Sequence, residues 1–131
     1  MAHFVKLNGS NLVTDVYVIA DADCLDASDN ESEAVGIAFC ETLLGSGTYK
    51  QTSYNGNIRK RYGAFGYKYD ATKNAYIEPQ PYASWTNDSN GAWQPPIVKP
   101  SDTSSKVYQW DETAYQADNS TGWVAKLQKQ L

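Results

Sequence analysis

YKQTSYNGNIRKRYGAFGYKYD, residues 49–70, interleaves aromatic residues, basic residues and glycines over twenty-two positions. Two physical readings compete for it. Aromatics beside cations can stack and neutralise a nucleic acid; the same composition also suits β-strands with one wet face. The basic run at the centre, Arg59–Lys60–Arg61, is short, and no recognised nucleic-acid-binding fold surrounds it. The chain carries a net charge of −4, which opposes a polyanion. If the segment is a strand, Arg59 and Arg61 share one face and Lys60 and Tyr62 the other. That is a poor core strand and a good interface strand. The reading is β-structure with a contact surface, and nucleic acid is not an expected partner.

Upstream, AHFVKLN (residues 2–8) alternates, with Phe4 and Lys6 pointing one way and Val5 and Leu7 the other. LVTDVYVIA (12–20) is rich in β-branched residues, and Asn8–Asn11 form the turn of an expected hairpin. An acidic loop, DADCLDASDNESE, follows. In the next segment Val35, Ala38, Phe39, Thr42 and Leu43 recur at helical spacing, which predicts one helix over Glu31–Leu44. Asp29 or Asn30 would cap its start, Glu31 and Glu33 suit the positive end of its dipole, and Gly45 and Gly47 supply the stop.

Downstream, prolines at 79, 81, 95, 96 and 100 punctuate the chain, and nothing after Tyr49 reads as helical. A loose pattern recurs of aromatic, polar turn and aromatic. Tyr69 and Tyr76 flank the first turn, Trp85 and Trp93 the second, and Trp110 and Trp123 the third. Each unit is expected to be a small hairpin whose aromatics pair across the strands and which must pack on something to be stable. The last residues, KLQKQL, are expected to fray or form a short helical tail. The fold class is therefore α+β, mainly β: an N-terminal hairpin with one packed helix, then short aromatic hairpins joined by Pro-rich turns. At 131 residues it reads as a single domain, subdivided at residues 1–48 and 49–131. Those two parts carry −7 and +3, an asymmetry that an acidic loop explains and that can also orient the chain against a neighbour or a copy of itself.

Catalytic machinery is not legible. The only histidine, His3, has no supporting motif for a nucleophilic triad. GSGTYK and GAFGYKY lack the order and the Lys-Ser/Thr pair of a phosphate loop. Two cysteines, Cys24 and Cys40, do not make a zinc site and are expected as free thiols. Asp21, Asp23, Asp26, Asp29 and Glu31 offer hard oxygens to calcium, but without the central glycine and terminal glutamate of an EF-hand loop, so a solvated loop ending in a helix cap is preferred. No catalytic residue, metal or cofactor is assigned. No stretch approaches the ~18 apolar residues of a membrane span, and MAHFVKLNGS lacks a signal-peptide pattern, so synthesis in the cytoplasm without a membrane partner is expected.

Taken in order, MAHF, DVYVIADADCLD, QTSYNGNIRKRY, GYKYD, QPYASW, WQPP and YQWDE resemble a group of small proteins encoded by tailed phages of marine bacteria, cyanophages in particular. Members begin MAHF, carry QTSYN before a GYxYD segment, and close with Trp-containing hairpins separated by prolines. The likeness is collinear over nearly the whole chain. This chain departs from it at GAFGYKYD, where members often show AGIGYTYD, and at the STG insertion before Trp123. The resemblance implies a virion structural protein. The leading expectation is a capsid decoration or cement protein on the outer head surface, bound to the major capsid protein or another virion protein, with self-association open. Expected partner contacts are Arg59, Arg61, Tyr62, Trp85 and Trp93. The alternatives are a tail-appendage or head-fibre adhesin module that binds host cell-surface glycan through tryptophan faces, and a tail or neck assembly component.

Overall fold

The structure is a computed structural model and describes residues 1–127. It is mainly β with two helices, the α+β class read from the sequence. The elements in order are β1 (Ala2–Leu7), β2 (Val13–Ile19), a 3₁₀ turn (Asp21–Cys24), α1 (Glu33–Leu44), β3 (Thr48–Thr52), β4 (Lys68–Asp70), β5 (Ala75–Ile77), β6 (Thr86–Asn87), β7 (Trp93–Gln94), β8 (Lys106–Trp110), α2 (Glu112–Ala117) and β9 (Trp123–Leu127). They divide into two compact units: Met1–Pro79 with Ser89–Ala92, and Gln80–Asp88 with the chain from Trp93 onward. The subdivision expected at residue 48 is displaced because β3 pairs with β1 and completes the first unit's sheet.

That sheet is antiparallel with order β2-β1-β3. The Asn8 side chain closes the β1–β2 turn by accepting from the backbone N–H of Ser10 and of Leu12. The alternation along β1 separates two buried faces, not a dry face from a wet one. Ala2 and Phe4 join Ile19, Cys24, Cys40 and Tyr49 in one cluster, while Val5 and Leu7 join Val13, Tyr69 and Tyr76 in the other. Lys6 lies on the first face with its ammonium 5.7 Å from the centre of the Tyr49 ring.

Helix α1 begins at Glu33, later than the sequence spacing suggests. Its cap is Ser32, whose Oγ accepts from the Val35 N–H at 3.3 Å. Residues 26–30 are held in a turn of their own: the Asp26 carboxylate accepts from the N–H of Ser28 and of Asn30, and Leu25 bridges to Glu31. Gly45, at φ 97°, ends the helix and donates its N–H to the Glu41 carbonyl. The face toward the sheet carries Gly36 over Phe4 and the fully buried Cys40. Cys24 and Cys40 are free thiols. Burial pushes both up, reinforced at Cys24 by Glu31 and at Cys40 by Cys24, which disfavours the reactive thiolate.

The expected strand through Arg59–Tyr62 does not form. Arg59 and Lys60 both take left-handed backbone, φ 54° and 70°, which breaks any extended run. A loop joins β3 to the β4–β5 hairpin, where Tyr69 and Tyr76 pair directly as the spacing suggests. Gly63 lies flat on the Tyr76 ring, and its N–H donates to Thr52 Oγ1 at 2.8 Å.

The second unit has almost no aliphatic core; Trp110 is its one buried large hydrophobic among the described residues. In β8–β9 Trp110 pairs with Trp123, as expected, but the connection contains α2, so the chain after Tyr49 is not free of helix. Asp111 caps α2 by accepting from the Ala114 N–H, a signal present in the sequence as Asp111 before a helix-forming run. In the β6–β7 hairpin Trp93 faces Asn87, not Trp85. Of the KLQKQL tail, Lys126 and Leu127 end β9; residues 128–131 lie outside the described residues.

A Cβ at Gly36 would sit 2.2 Å from the tip of the Phe4 ring, inside any tolerable contact. Gly36→Ala should therefore destabilise the protein by ~1–3 kcal/mol despite alanine's better helix propensity. A lowered urea midpoint in the purified variant checks this.

Candidate interaction surface

At Gln51 the outer edge of β3 is closed by side chains. Phe4 faces Gln51 in the ladder, and the Gln51 N–H and C=O point away from β1. Glu33 Oε2 accepts the Gln51 N–H at 2.7 Å. Arg59 Nη1 and the Tyr76 hydroxyl both donate to the Gln51 carbonyl, each at 2.8 Å. Arg59 also forks onto Glu33, at 2.6 Å to Oε2 and 3.0 Å to Oε1. The Gln51 side chain donates to Glu31 at 2.7 Å. Burial pushes the Glu33 carboxyl up, but the bonds from Arg59 and Gln51 outweigh it and leave the group below its ordinary value. The Arg59 guanidinium is raised, first by its bonds to Glu33, and the Tyr76 phenol is raised by burial.

This network employs much of what the sequence offers as contact residues. Arg59 directs its fork inward. Arg61 donates to the carbonyls of Tyr76 and, at 3.0 Å, Asn90, within the same unit. The left-handed backbone at Arg59–Lys60 lets both arginines reach such acceptors. Tyr62 is half-buried and does reach the surface cluster. Its ring centre lies 6.0 Å from His3, edge-on, and 5.6 Å from Tyr54. Tyr54 is 77% exposed and 6.1 Å from His3. Sequence reading did not single out Tyr54, although SYNG marks a turn, closed by the Gly56 N–H to the Ser53 carbonyl, whose second position projects outward. Beside the cluster an open depression of about 240 Å³ is lined by Met1, His3, Glu31, Thr52, Tyr54 and Ile58. It sets aromatic faces beside polar groups at the margin.

In the second unit Trp85, Trp110 and Trp123 pack on one another, with ring centres 5.9 Å (85–110), 6.1 Å (85–123) and 5.2 Å (110–123) apart. Tyr82 and Tyr115 extend the cluster from Trp85 and Trp110 respectively. Trp110 Nε1 donates to Glu112 at 2.9 Å and Trp123 Nε1 to the Ile97 carbonyl at 2.7 Å. Glu112, also bonded by Ser84 and Gln116, is held below the ordinary carboxylate range, first by Ser84. Trp93 is half-buried in β7. The five expected contact residues thus fall in both units, Arg59, Arg61 and Tyr62 in the first and Trp85 and Trp93 in the second. Among the described residues no group of three or more His, Cys, Asp or Glu could hold a metal ion, and no helix is long and apolar enough to cross a membrane. In the acidic loop, Asp21 pairs with the N-terminal ammonium at 3.0 Å.

The Glu33 bonds link stability to pH. With the folded-state carboxyl below its ordinary value of 4.5, its contribution is fully present above that pH and is lost as pH falls through the folded-state value. Urea unfolding at pH 7 and pH 3 should show a smaller loss in Glu33→Gln than in the wild type. Arg59→Met should cost roughly 2–4 kcal/mol at pH 7, a little less than a fully buried pair, because it leaves Glu33 and the Gln51 carbonyl short of donors.

No protein-family model, no curated protein and no solved structure matches this chain.

Proposed function

We propose that this chain is a phage virion structural protein that acts by binding, without catalysis, and specifically a decoration or cement protein on the outer surface of the head. The collinear likeness running from MAHF through QTSYN and GYKYD to the Trp-Pro region carries this reading. The geometry is in keeping with it. The His3–Tyr54–Tyr62 cluster offers rigid aromatic anchors beside an open depression, the kind of feature that supplies most of the affinity in a protein interface. The partner is the major capsid protein or another virion protein. Tyr62 with Tyr54 leads the contact set. Arg59 and Arg61 contribute by holding the loop that presents Tyr62.

A second reading, a glycan-binding module on a tail appendage or head fibre, has one observation in its favour. An open depression of about 320 Å³ in the second unit places Tyr82, 36% exposed, with Gln109, Asp111, Glu112 and Lys126, an aromatic among polar groups as sugar rings require. Against it, Trp85, Trp110 and Trp123 spend their faces on one another.

Antibody labelling of intact virions viewed by electron microscopy should place the protein over the head shell. Label confined to the tail or its fibres would favour the second reading, and no label on particles from cells that make the protein would count against both. Acrylamide should quench tryptophan emission weakly, with no change on adding host polysaccharide; strong quenching that polysaccharide reverses would favour the glycan reading.

A further inference from the structure

The β3 edge of the first unit's sheet is met by side chains at Gln51, whereas the β2 edge offers two successive open residues, and these point to a second copy of the chain. On β3 the outward groups of Gln51 are met by Glu33, Arg59 and Tyr76. On β2 the ladder alternation runs as follows from Gln51: Phe4 turns its polar groups toward Tyr17, so Tyr17, Asp15 and Ile19 bond inward and Val16 and Val18 point outward. A bulge at Lys6/Leu7 resets the phase, and the outward groups of Val13 are met by Gly66 and Tyr67. At the other end the Ala20 carbonyl accepts from Asp23 as the chain turns into the 3₁₀ segment. Between these two stops the backbone N–H and C=O of Val16 and Val18 face outward, with no partner in the first unit among the described residues. The side chain of Val18 is 54% exposed. A β-branched, proline-free edge of this kind is a template for strand addition.

We propose that β2 pairs antiparallel with β2 of a second copy, about a two-fold axis at Tyr17, to give one continuous six-stranded sheet. The open segment is symmetric about that residue. In this register Val16 exchanges both bonds with the partner's Val18, and Val18 with the partner's Val16, so the outward groups of both valines are used. The two Tyr17 rings meet as a non-hydrogen-bonded aromatic pair, the favourable kind of cross-strand contact. The only charge on the strand, Asp15, faces the partner's Ile19, and Lys6 already sits opposite Asp15 on β1, so no like charges are opposed. The slot beside Val13 taken by Gly66 and Tyr67 stays clear, because the partner's chain has left the strand at Ala20. An isologous pair of this kind suits an assembly with two-fold sites, but the inference does not depend on the virion reading.

The test uses the full chain in solution. Sedimentation equilibrium should give twice the mass of one chain for the wild type. Val18→Pro removes an N–H that the single copy leaves unpaired and should return the mass to one chain, with an unchanged circular dichroism spectrum. Tyr17→Cys should form a covalent dimer on mild air oxidation, since Cα atoms about 4.5 Å apart in such a pair suit a disulfide. Asp15→Cys, facing Ile19, should not; both variants are made with Cys24→Ala and Cys40→Ala, because Tyr17 packs against the cluster that holds these two thiols. A wild type of single mass at its highest soluble concentration, or a folded Val18→Pro variant that keeps the doubled mass, overturns the proposal. So does an Asp15→Cys variant that cross-links as readily as Tyr17→Cys. If Val18→Pro fails to fold, the two cysteine variants decide.

Discussion

The first unit depends on how the backbone of Gln51 is satisfied. A strand edge needs partners for its outward N–H and C=O groups, and burial without them is costly. Here the partners come from three separate places: Glu33 at the start of α1, Arg59 in the loop after β3, and Tyr76 in β5. One residue's peptide groups therefore tie helix, loop and hairpin to the same strand. The arginine has a second role, since its fork neutralises the carboxylate that caps the N–H. With Glu33 and Arg59 side chains only 31% and 15% exposed, neither charge would be tolerated without the other.

The same constraint explains why the loop has its shape. Consecutive left-handed residues at Arg59 and Lys60 are costly for non-glycine side chains and persist only where the surroundings over-determine them. The bonds from Arg59 to Glu33 and Gln51, and from Arg61 to Tyr76 and Asn90, supply that determination. The loop then carries Tyr62 to its place beside His3 and Tyr54. A structural ion pair and a surface cluster are thus coupled through three residues of chain.

The second unit solves a different problem. With few aliphatic residues it buries apolar area through rings, which carry more area per residue than any other side chain. Trp110 and Trp123 spend their indole N–H groups on Glu112 and on a backbone carbonyl, so their polar handles do not oppose burial. What this unit leaves exposed is the margin of the cluster, such as Tyr82, more than its centre.

Local pattern determined a good deal of this protein. The β-branched run of β2, the Asn8 turn, the helix stop at Gly45 and the Tyr69–Tyr76 and Trp110–Trp123 pairs are set by neighbours within about fifteen residues, where propensity and period speak directly. The helix α2 was legible too, through Asp111, but the surrounding aromatics mask so short a run. Of the surface cluster, Tyr62 was among the contacts expected from the sequence and Tyr54 and His3 were not, because only the fold brings residues 3, 54 and 62 together. The role of Arg59 depends on a carboxylate 26 positions away and a peptide group 8 away, and the same basic triplet would serve equally as an exposed contact. Composition set the aromatic and β character. Which charges turn inward, and which strand edge is left open, tertiary structure decided, because hydrogen-bond satisfaction is a property of groups distant in sequence and adjacent in space.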